Sequence, residues 1–363
     1  MAEMAHMSPC QPPHPAICHR IVNSPNPWTP PISFPTGDSA RLVLLGDHLP
    51  YECGKPDLSL KDWWPCAASD NVKFKLFRRI LREGYVLPSV AAIAFALLST
   101  MYTTDSQSPR VRLRAGTELI EDFGVMKGSV RVTSQDQLAY LFCDSGNVGG
   151  ALGQDPDHHY WLYFTTASGE DIFLDCAMFT FNLCIMVPSE PYFPRFPGAE
   201  WVPGLYVKKE LSRMLPLEIH TEKQRFSFLR NSQIRKAASQ ASFEVEELKA
   251  LALFVHEMAG VFDRDWFGML HVFTKQNLLS LNDALRTKSW QNWPASPDIG
   301  IDGDPGEMVE VMRRVSNGEM TCEEAEVVFK NWKKKQYIYG WLKTLVTAVA
   351  LYVASSYLLK MLL

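Results

Sequence analysis

The sequence lacks a strong excess of charge of either sign. Lysine and arginine together number 36 and aspartate and glutamate 40, which gives a formal net charge of -4 at pH 7. Binding to nucleic-acid phosphates needs a basic surface, and the overall composition does not supply one. We therefore expect no nucleic-acid partner.

Cysteine is sparse as well: eight residues are spread over a chain of 363, and no long apolar run follows the N-terminus. Small secreted domains are dense in disulfides, so this spacing indicates reduced thiols in a cytosolic setting. Cys10, His14, Cys18 and His19 have the residue types of a zinc site, but prolines lie among them and no periodic apolar segment follows. We expect no metal site and no cofactor.

The distribution of proline and of apolar residues divides the chain into four parts. Prolines are concentrated in residues 1–38, where they remove backbone donors and favour extended chain, so we predict a disordered tail there. The hydrophobic content of 47% is enough for a real core in the remainder. We predict an α+β domain over residues 39–204, a helical region over 205–335 and a separate segment over 337–363.

Residue periodicity predicts the elements of the α+β domain. Residues 41–45 and 160–166 read as strands, and a long strand over 171–187 follows a turn at 167–169. Apolar positions recur every three or four residues over 72–82, which is typical of a helix. The segment 89–101 is apolar on every face but too short to cross a membrane, so we predict a buried core helix.

The C-terminal segment carries sixteen uncharged residues, 344–359, between Lys343 and Lys360. Aromatic residues precede this run, and lysines 333–335 would stay on the cytosolic side. We expect a single C-terminal transmembrane helix within 337–363, which would make this a tail-anchored protein of the mitochondrial outer membrane or endoplasmic reticulum, facing the cytosol. The alternative is an amphipathic or core helix, which the threonines and serines of the run favour.

One strand pair carries the candidate chemistry. Alternation places His159, Trp161 and Tyr163 on one face of the strand 160–166. A hairpin that folds about Ala167 would put His159 directly opposite Asp175 on the next strand. A carboxylate in that place fixes the imidazole tautomer and stabilises its charged form, as a general base requires.

The order of these elements resembles the transglutaminase-like branch of the papain-like cysteine enzymes. Over residues 80–185 the chain has an Arg-Glu-Gly at 82–84, the apolar helix 89–101, an Arg and Gly at 112 and 116, then His159 and Asp175. The resemblance implies a central antiparallel sheet with a buried helix that carries a cysteine nucleophile at its start. Residues 86–89 read Val-Leu-Pro-Ser, so that cysteine is missing.

Three functions remain open on this basis. The first is a non-catalytic binding or scaffold module with a protein partner, in which His159 and Asp175 persist without the thiol. The second is a hydrolase or acyltransferase with Ser89 as nucleophile, His159 as base and Asp175 as its orienting partner. The third is a structural membrane adaptor that acts through its C-terminal helices. Cys143 and Cys176 are the other candidate nucleophiles, and we expect both to be ordinary free thiols.

Overall fold

The computed structural model describes residues 14–23, 32–33, 39–49, 60–67, 70–102, 112–115, 117–132, 137–144, 147–181, 185–188, 190–192, 201–203, 205–208, 220–240, 244–260, 265–294, 300–301, 311, 314–328 and 330. Over these residues the chain folds into three β-sheets and a set of helices. The prediction of an α+β fold is confirmed.

The α-helices are numbered in chain order. They are α1 (Leu60–Trp63), α2 (Asp70–Ile80), α3 (Val86–Met101), α4 (Ser232–Ala238), α5 (Val245–Ala259) and α6 (Asp265–Thr287). Single 3₁₀ turns occupy Pro15–Ile17, Pro156–His158, Met178–Phe181 and Ser289–Asn292. Residues 314–316 and 322–328 are also helical. The Thr321 hydroxyl accepts the Glu324 N–H at 3.1 Å, and the Glu324 carboxylate accepts the Thr321 N–H at 2.8 Å, which is a capping box.

The strands range in length from two to thirteen residues. They are β1 (His19–Ile21), β2 (Ile32–Ser33), β3 (Ser39–His48), β4 (Arg114–Ala115), β5 (Glu118–Val130), β6 (Leu138–Asp144), β7 (Asn147–Leu152), β8 (His159–Thr166), β9 (Asp171–Asp175), β10 (Ile185–Pro188), β11 (Trp201–Pro203), β12 (Leu205–Lys208), β13 (His220–Ser227) and β14 (Gly300–Ile301).

These strands form three sheets. The largest has the order β12-β9-β8-β5-β13 with β4 beside β5, and its described pairings are antiparallel. The second has the order β1-β3-β6-β7 with β2 beside β3, and its β3–β6 pair is parallel. The third is β11-β10-β14. The predicted hairpin of β8 and β9 therefore lies in the largest sheet.

The buried helix α3 packs on one face of the largest sheet. Its residues share a core cluster with Tyr160, Leu162 and Phe164 of β8 and with the helices that follow β13. The opposite face of the same sheet buries a separate cluster of Met126, Trp161, Tyr163 and Phe173. The predicted alternation along β8, and the predicted core helix, are both confirmed.

The second sheet has its own core, and part of the expected tail lies in it. Ala16, Ile17 and Ile21 are buried with Trp63 and Trp64. The indole N–H of Trp63 donates to Ala16 O at 2.7 Å. Residues 15–21 therefore differ from the expected disordered tail, because β1 pairs with β3 and its apolar side chains face α1 and α2.

Two boundaries also differ from expectation. The strand expected over 171–187 ends at Asp175, whose carboxylate accepts the Ala177 N–H at 2.8 Å and so starts a turn instead. The helical region expected from residue 205 begins only at α4, because β12 and β13 complete the largest sheet. β13 is an edge strand rich in charged residues, a composition that hides its strand character.

The expectation of a single C-terminal transmembrane helix, and with it of a membrane-anchored, tail-anchored protein, is wrong. Among the described residues no helix is both long and apolar enough to cross a membrane, and residues 337–363 lie outside the described part. The sixteen-residue run is weak on physical grounds, because it would rise only about 24 Å against a hydrocarbon core of about 30 Å. The expected membrane partner and location rested on this helix and stay predictions.

Gly128 on β5 allows the neighbouring strand β13 and the Trp161 side chain to approach closely. A β-carbon at this position would collide with the Thr221 carbonyl and lie 2.6 Å from Cη2 of Trp161. We expect Gly128→Ala to lower the free energy of unfolding by about 2 kcal/mol or more, as overpacking does. Urea unfolding measures this.

Gly150→Ala is the matched control, since its β-carbon would meet the nearest atom, Tyr140 O, at an ordinary 3.5 Å. Equal unfolding midpoints for the two variants and the wild type would show that the packing around Gly128 is looser than described.

Candidate functional site

The sequence-predicted pair of His159 and Asp175 is hydrogen-bonded. His159 Nε2 lies 2.6 Å from Asp175 Oδ2, and both side chains are buried. The hairpin register pairs Leu162 with Leu174, so Asp175 lies diagonal to His159 rather than directly opposite. The turn is centred on Ser168 instead of Ala167, and a shift of one residue in the turn moves the pairing by two.

His220 is a third member of this cluster, and the sequence analysis missed it. Its Nε2 lies 2.8 Å from the same oxygen, Asp175 Oδ2. His220 is the first residue of β13, a strand whose next four side chains are exposed, so neither alternation nor an apolar run points to it. The candidate site therefore comprises His159, Asp175 and His220.

The bond between Asp175 and His220 shows that the largest sheet is strongly curled. β8 and β5 lie between β9 and β13, and strands spaced by about 4.8 Å would place the outer two about 14 Å apart in a flat sheet. Two short side chains span that gap only if the sheet bends around them. The cluster therefore lies on the concave face, opposite α3.

Asp175 has both of its oxygens engaged. Oδ2 faces the two imidazoles, and Oδ1 accepts the Ala177 N–H at 2.8 Å. Burial alone would raise the pKa of this carboxyl, but the charge and hydrogen bonds of His159 and His220 hold the pKa below its usual range. The carboxylate is therefore charged in the folded protein at neutral pH.

Aromatic rings enclose the cluster. The His159 ring lies 6.0 Å from Trp161 and 5.4 Å from Phe181, between ring centroids, and the His220 ring lies 4.8 Å from Trp161 and 6.3 Å from Phe173. Within the described part of the chain, His159 Nδ1 and Trp161 Nε1 are buried without a hydrogen-bond partner. The three side chains of the cluster are buried beneath these rings.

The three side chains have the residue types of a metal site. Each offers one ligand atom, and these atoms lie within 4.8 Å of one another. Two imidazoles and one carboxylate suit zinc and several other divalent transition metals. We expected no metal site from the sequence, where His220 was not among the candidate residues.

Ser89, the predicted alternative nucleophile, lies on α3. Its hydroxyl donates to Tyr85 O at 2.7 Å within the first helical turn. Among the described residues, Ser89 and His159 share no hydrogen bond. The triad of Ser89, His159 and Asp175 stays a prediction.

The start of α3 nevertheless lies beside the start of β8. The Gly84 N–H donates to Gln154 Oε1 at 3.3 Å, and the Gln154 amide donates to His158 O at 3.4 Å. The helix N-terminus and the histidine strand therefore meet at one end of the sheet.

Cys176 is a free thiol next to the site. Burial, together with the neighbouring Asp175 carboxylate, raises the pKa of this thiol to about 12. It is protonated at neutral pH. The side chain of Cys143 lies outside the described part of the chain.

A second buried carboxyl lies where α2 meets α3. Glu83 accepts a hydrogen bond from the Tyr140 hydroxyl at 2.7 Å, while its other oxygen has no partner among the described residues. Burial raises its pKa to about 7, against the smaller opposing effects of Arg79 and Tyr140. Arg79 in turn donates from Nε to Thr180 O at 2.6 Å, which connects Glu83 to the turn after Asp175.

Comparisons with known proteins give no relative. No protein-family model, no curated protein and no solved structure matches the chain.

The Asp175 geometry predicts an acid-sensitive contribution to stability. Because its folded pKa lies below the unfolded value of about 3.9, the contribution is present above about pH 4 and is lost as the pH falls through the folded value. Asp175→Asn should lower the free energy of unfolding at pH 7 by about 3 kcal/mol, since two buried imidazoles lose a charged acceptor. The variant should also lose part of the acid dependence below pH about 4.

Asp157→Asn is the control, because Asp157 forms only an exposed ion pair with Lys223 at 3.3 Å. Its effect should stay within about 1 kcal/mol. If Asp175→Asn and Asp157→Asn cost the same in pH-dependent urea titrations, Asp175 is not the buried acceptor described above.

For Glu83 we predict the opposite pH dependence of the free energy of unfolding. Its folded pKa of about 7 lies above the usual 4.5, so the folded state loses stability as the pH rises from about 4.5 to about 7. Glu83→Gln should therefore be more stable than the wild type at pH 8, by up to about 3 kcal/mol, and the advantage should vanish near pH 4.5. A Glu83→Gln protein that is less stable than the wild type at pH 8 would contradict this assignment.

Proposed function

We propose that the α+β domain is a non-catalytic module of transglutaminase-like type that acts in binding or as a scaffold. The order of elements supports the fold assignment: the start of a buried helix lies beside the strand of His159, and Asp175 follows on the neighbouring strand. The function proposed is to present a folded surface to a protein partner.

One observation carries the non-catalytic part of the proposal: His159, the base predicted from the sequence, has 0% exposure. A general base must come within about 2.6–3.2 Å of the proton that it removes. Here aromatic rings cover the imidazole, and its carboxylate partner is shared with a second imidazole. The pair is therefore placed to hold strands together rather than to reach a substrate.

The candidate hydroxyl supports the same conclusion. Ser89 donates its proton to Tyr85 O, on the same helical turn, and α3 packs against the face of β8 that does not carry His159. Activation of a serine needs the base within hydrogen-bond reach of the hydroxyl. The described contacts give Ser89 a structural partner instead.

The helical region supplies apolar surface for a partner. Val245 and Leu253 of α5 are 59% and 67% exposed, and Leu279 of the neighbouring α6 is 62% exposed. The other face of α5 is buried against α3 and the sheet, so these side chains are not part of the core. They are the first positions at which we would place a protein contact.

An active-site-directed reagent tests the absence of catalysis without knowledge of a substrate. We expect the full chain, incubated with a fluorophosphonate, to show no covalent adduct by intact mass. Ser99→Ala serves as a matched control on the same helix, since the Ser99 hydroxyl also donates to a backbone carbonyl, Ala238 O at 3.0 Å. An adduct that disappears in both Ser89→Ala and His159→Gln, but persists in Ser99→Ala, would establish the hydrolase alternative and overturn the proposal.

A further inference from the structure

Two histidines converge on one carboxylate oxygen. His159 and His220 both approach Asp175 Oδ2 through Nε2, at 2.6 and 2.8 Å. They come from strands that are not neighbours in the sheet. A chelating site has this arrangement, in which potential ligand atoms from three different strands converge on one place.

The spacing of the three donor atoms is close to that of a bound ion. Zinc lies about 2.0–2.2 Å from nitrogen and oxygen ligands, which separates neighbouring ligands by about 3.3 Å in a tetrahedral site. The contacts of 2.6 and 2.8 Å to Asp175 Oδ2 are somewhat shorter than that separation, and all three ligand atoms lie within 4.8 Å of one another.

The carboxylate is oriented for this role by its surroundings. Asp175 Oδ1 accepts the Ala177 N–H, and the Thr180 hydroxyl donates to Ala177 O at 2.7 Å, so Oδ2 is the oxygen that faces the imidazoles. Partners of this kind fix the orientation of metal ligands and are part of most metal sites. The support continues through Arg79, which donates to Thr180 O.

Metal ligation through Nε2 of His159 would replace the hydrogen bond that this nitrogen makes to Asp175. An imidazole that binds a metal through one nitrogen carries its proton on the other. His159 Nδ1 has no partner among the described residues, so it is free to carry that proton. An N–H without an acceptor weakens binding, and we expect a lower affinity than in sites where every ligand has a second partner.

We propose that His159, Asp175 and His220 together bind one divalent transition-metal ion of the zinc class, His159 and His220 through Nε2 and Asp175 through Oδ2. Imidazole nitrogen and carboxylate oxygen favour Zn²⁺ over the hard cations Mg²⁺ and Ca²⁺, which prefer oxygen ligands. Trp161, Phe173 and Phe181 form the apolar wall of the site. The inference is independent of the proposed binding function, because a folded module can hold a metal whether or not it reacts with a fluorophosphonate.

The metal content of the full chain, prepared without a polyhistidine tag, tests the proposal. We expect about one equivalent of zinc per chain by elemental mass spectrometry after gel filtration. His220→Ala and Asp175→Asn should lose it. His158→Ala is the matched control and should keep it, because His158 is the adjacent residue and its side chain is 63% exposed.

A second measurement needs no variant and so does not depend on whether the substituted chains fold. Co²⁺ added to the zinc-depleted wild type should produce the visible absorption bands of a protein-bound ion, and Zn²⁺ should abolish them. A folded wild-type chain with below about 0.1 equivalent of metal and no cobalt bands would overturn the proposal. So would a His220→Ala chain that keeps as much zinc as the wild type, because that result would place the ion elsewhere.

Discussion

A single carboxylate, that of Asp175, accepts hydrogen bonds from three separate parts of the chain. His159 and His220 meet one oxygen and the Ala177 N–H meets the other, while the residue has only 1% exposure. A buried anion without such partners would cost several kcal/mol. The curl of the largest sheet follows from this requirement, since β13 reaches β9 only if the two intervening strands bend.

The same carboxylate connects the sheet to the rest of the molecule. The turn after Asp175 is held to α2 by Arg79, and Glu83, four residues after Arg79, accepts the Tyr140 hydroxyl from the second sheet. Buried polar groups therefore connect the largest sheet to the second sheet, in addition to apolar contacts. Glu83 and Asp175 are displaced from their ordinary pKa in opposite directions, because burial dominates at Glu83, whereas the charge and hydrogen bonds of His159 and His220 outweigh burial at Asp175.

The sequence predicted those parts of the fold that have strong periodicity. The apolar helix, the hairpin and the face of β8 with Trp161 follow directly from alternation and turn residues, and His159 and Asp175 were found in that way. His220 was not, because β13 is an edge strand with solvent on most of its side chains and has no apolar pattern. The register of the hairpin could not be predicted from the sequence either. The same residues, 167–169, form the turn whether it is centred on Ala167 or on Ser168. The membrane helix was expected from an uncharged run and from the aromatic residues and lysines beside it, and the short length of the run was the warning against it.

The contact between Asp175 and His220 should couple the two residues energetically across the sheet. A double-mutant cycle of Asp175→Asn and His220→Ala, with unfolding followed in urea, measures that coupling directly. Residues in contact show interaction energies of about 1–3 kcal/mol, and we predict a value in that range, with or without a bound ion. Effects that add to within about 0.5 kcal/mol would mean that the two side chains do not meet, and the concave site would not exist as described.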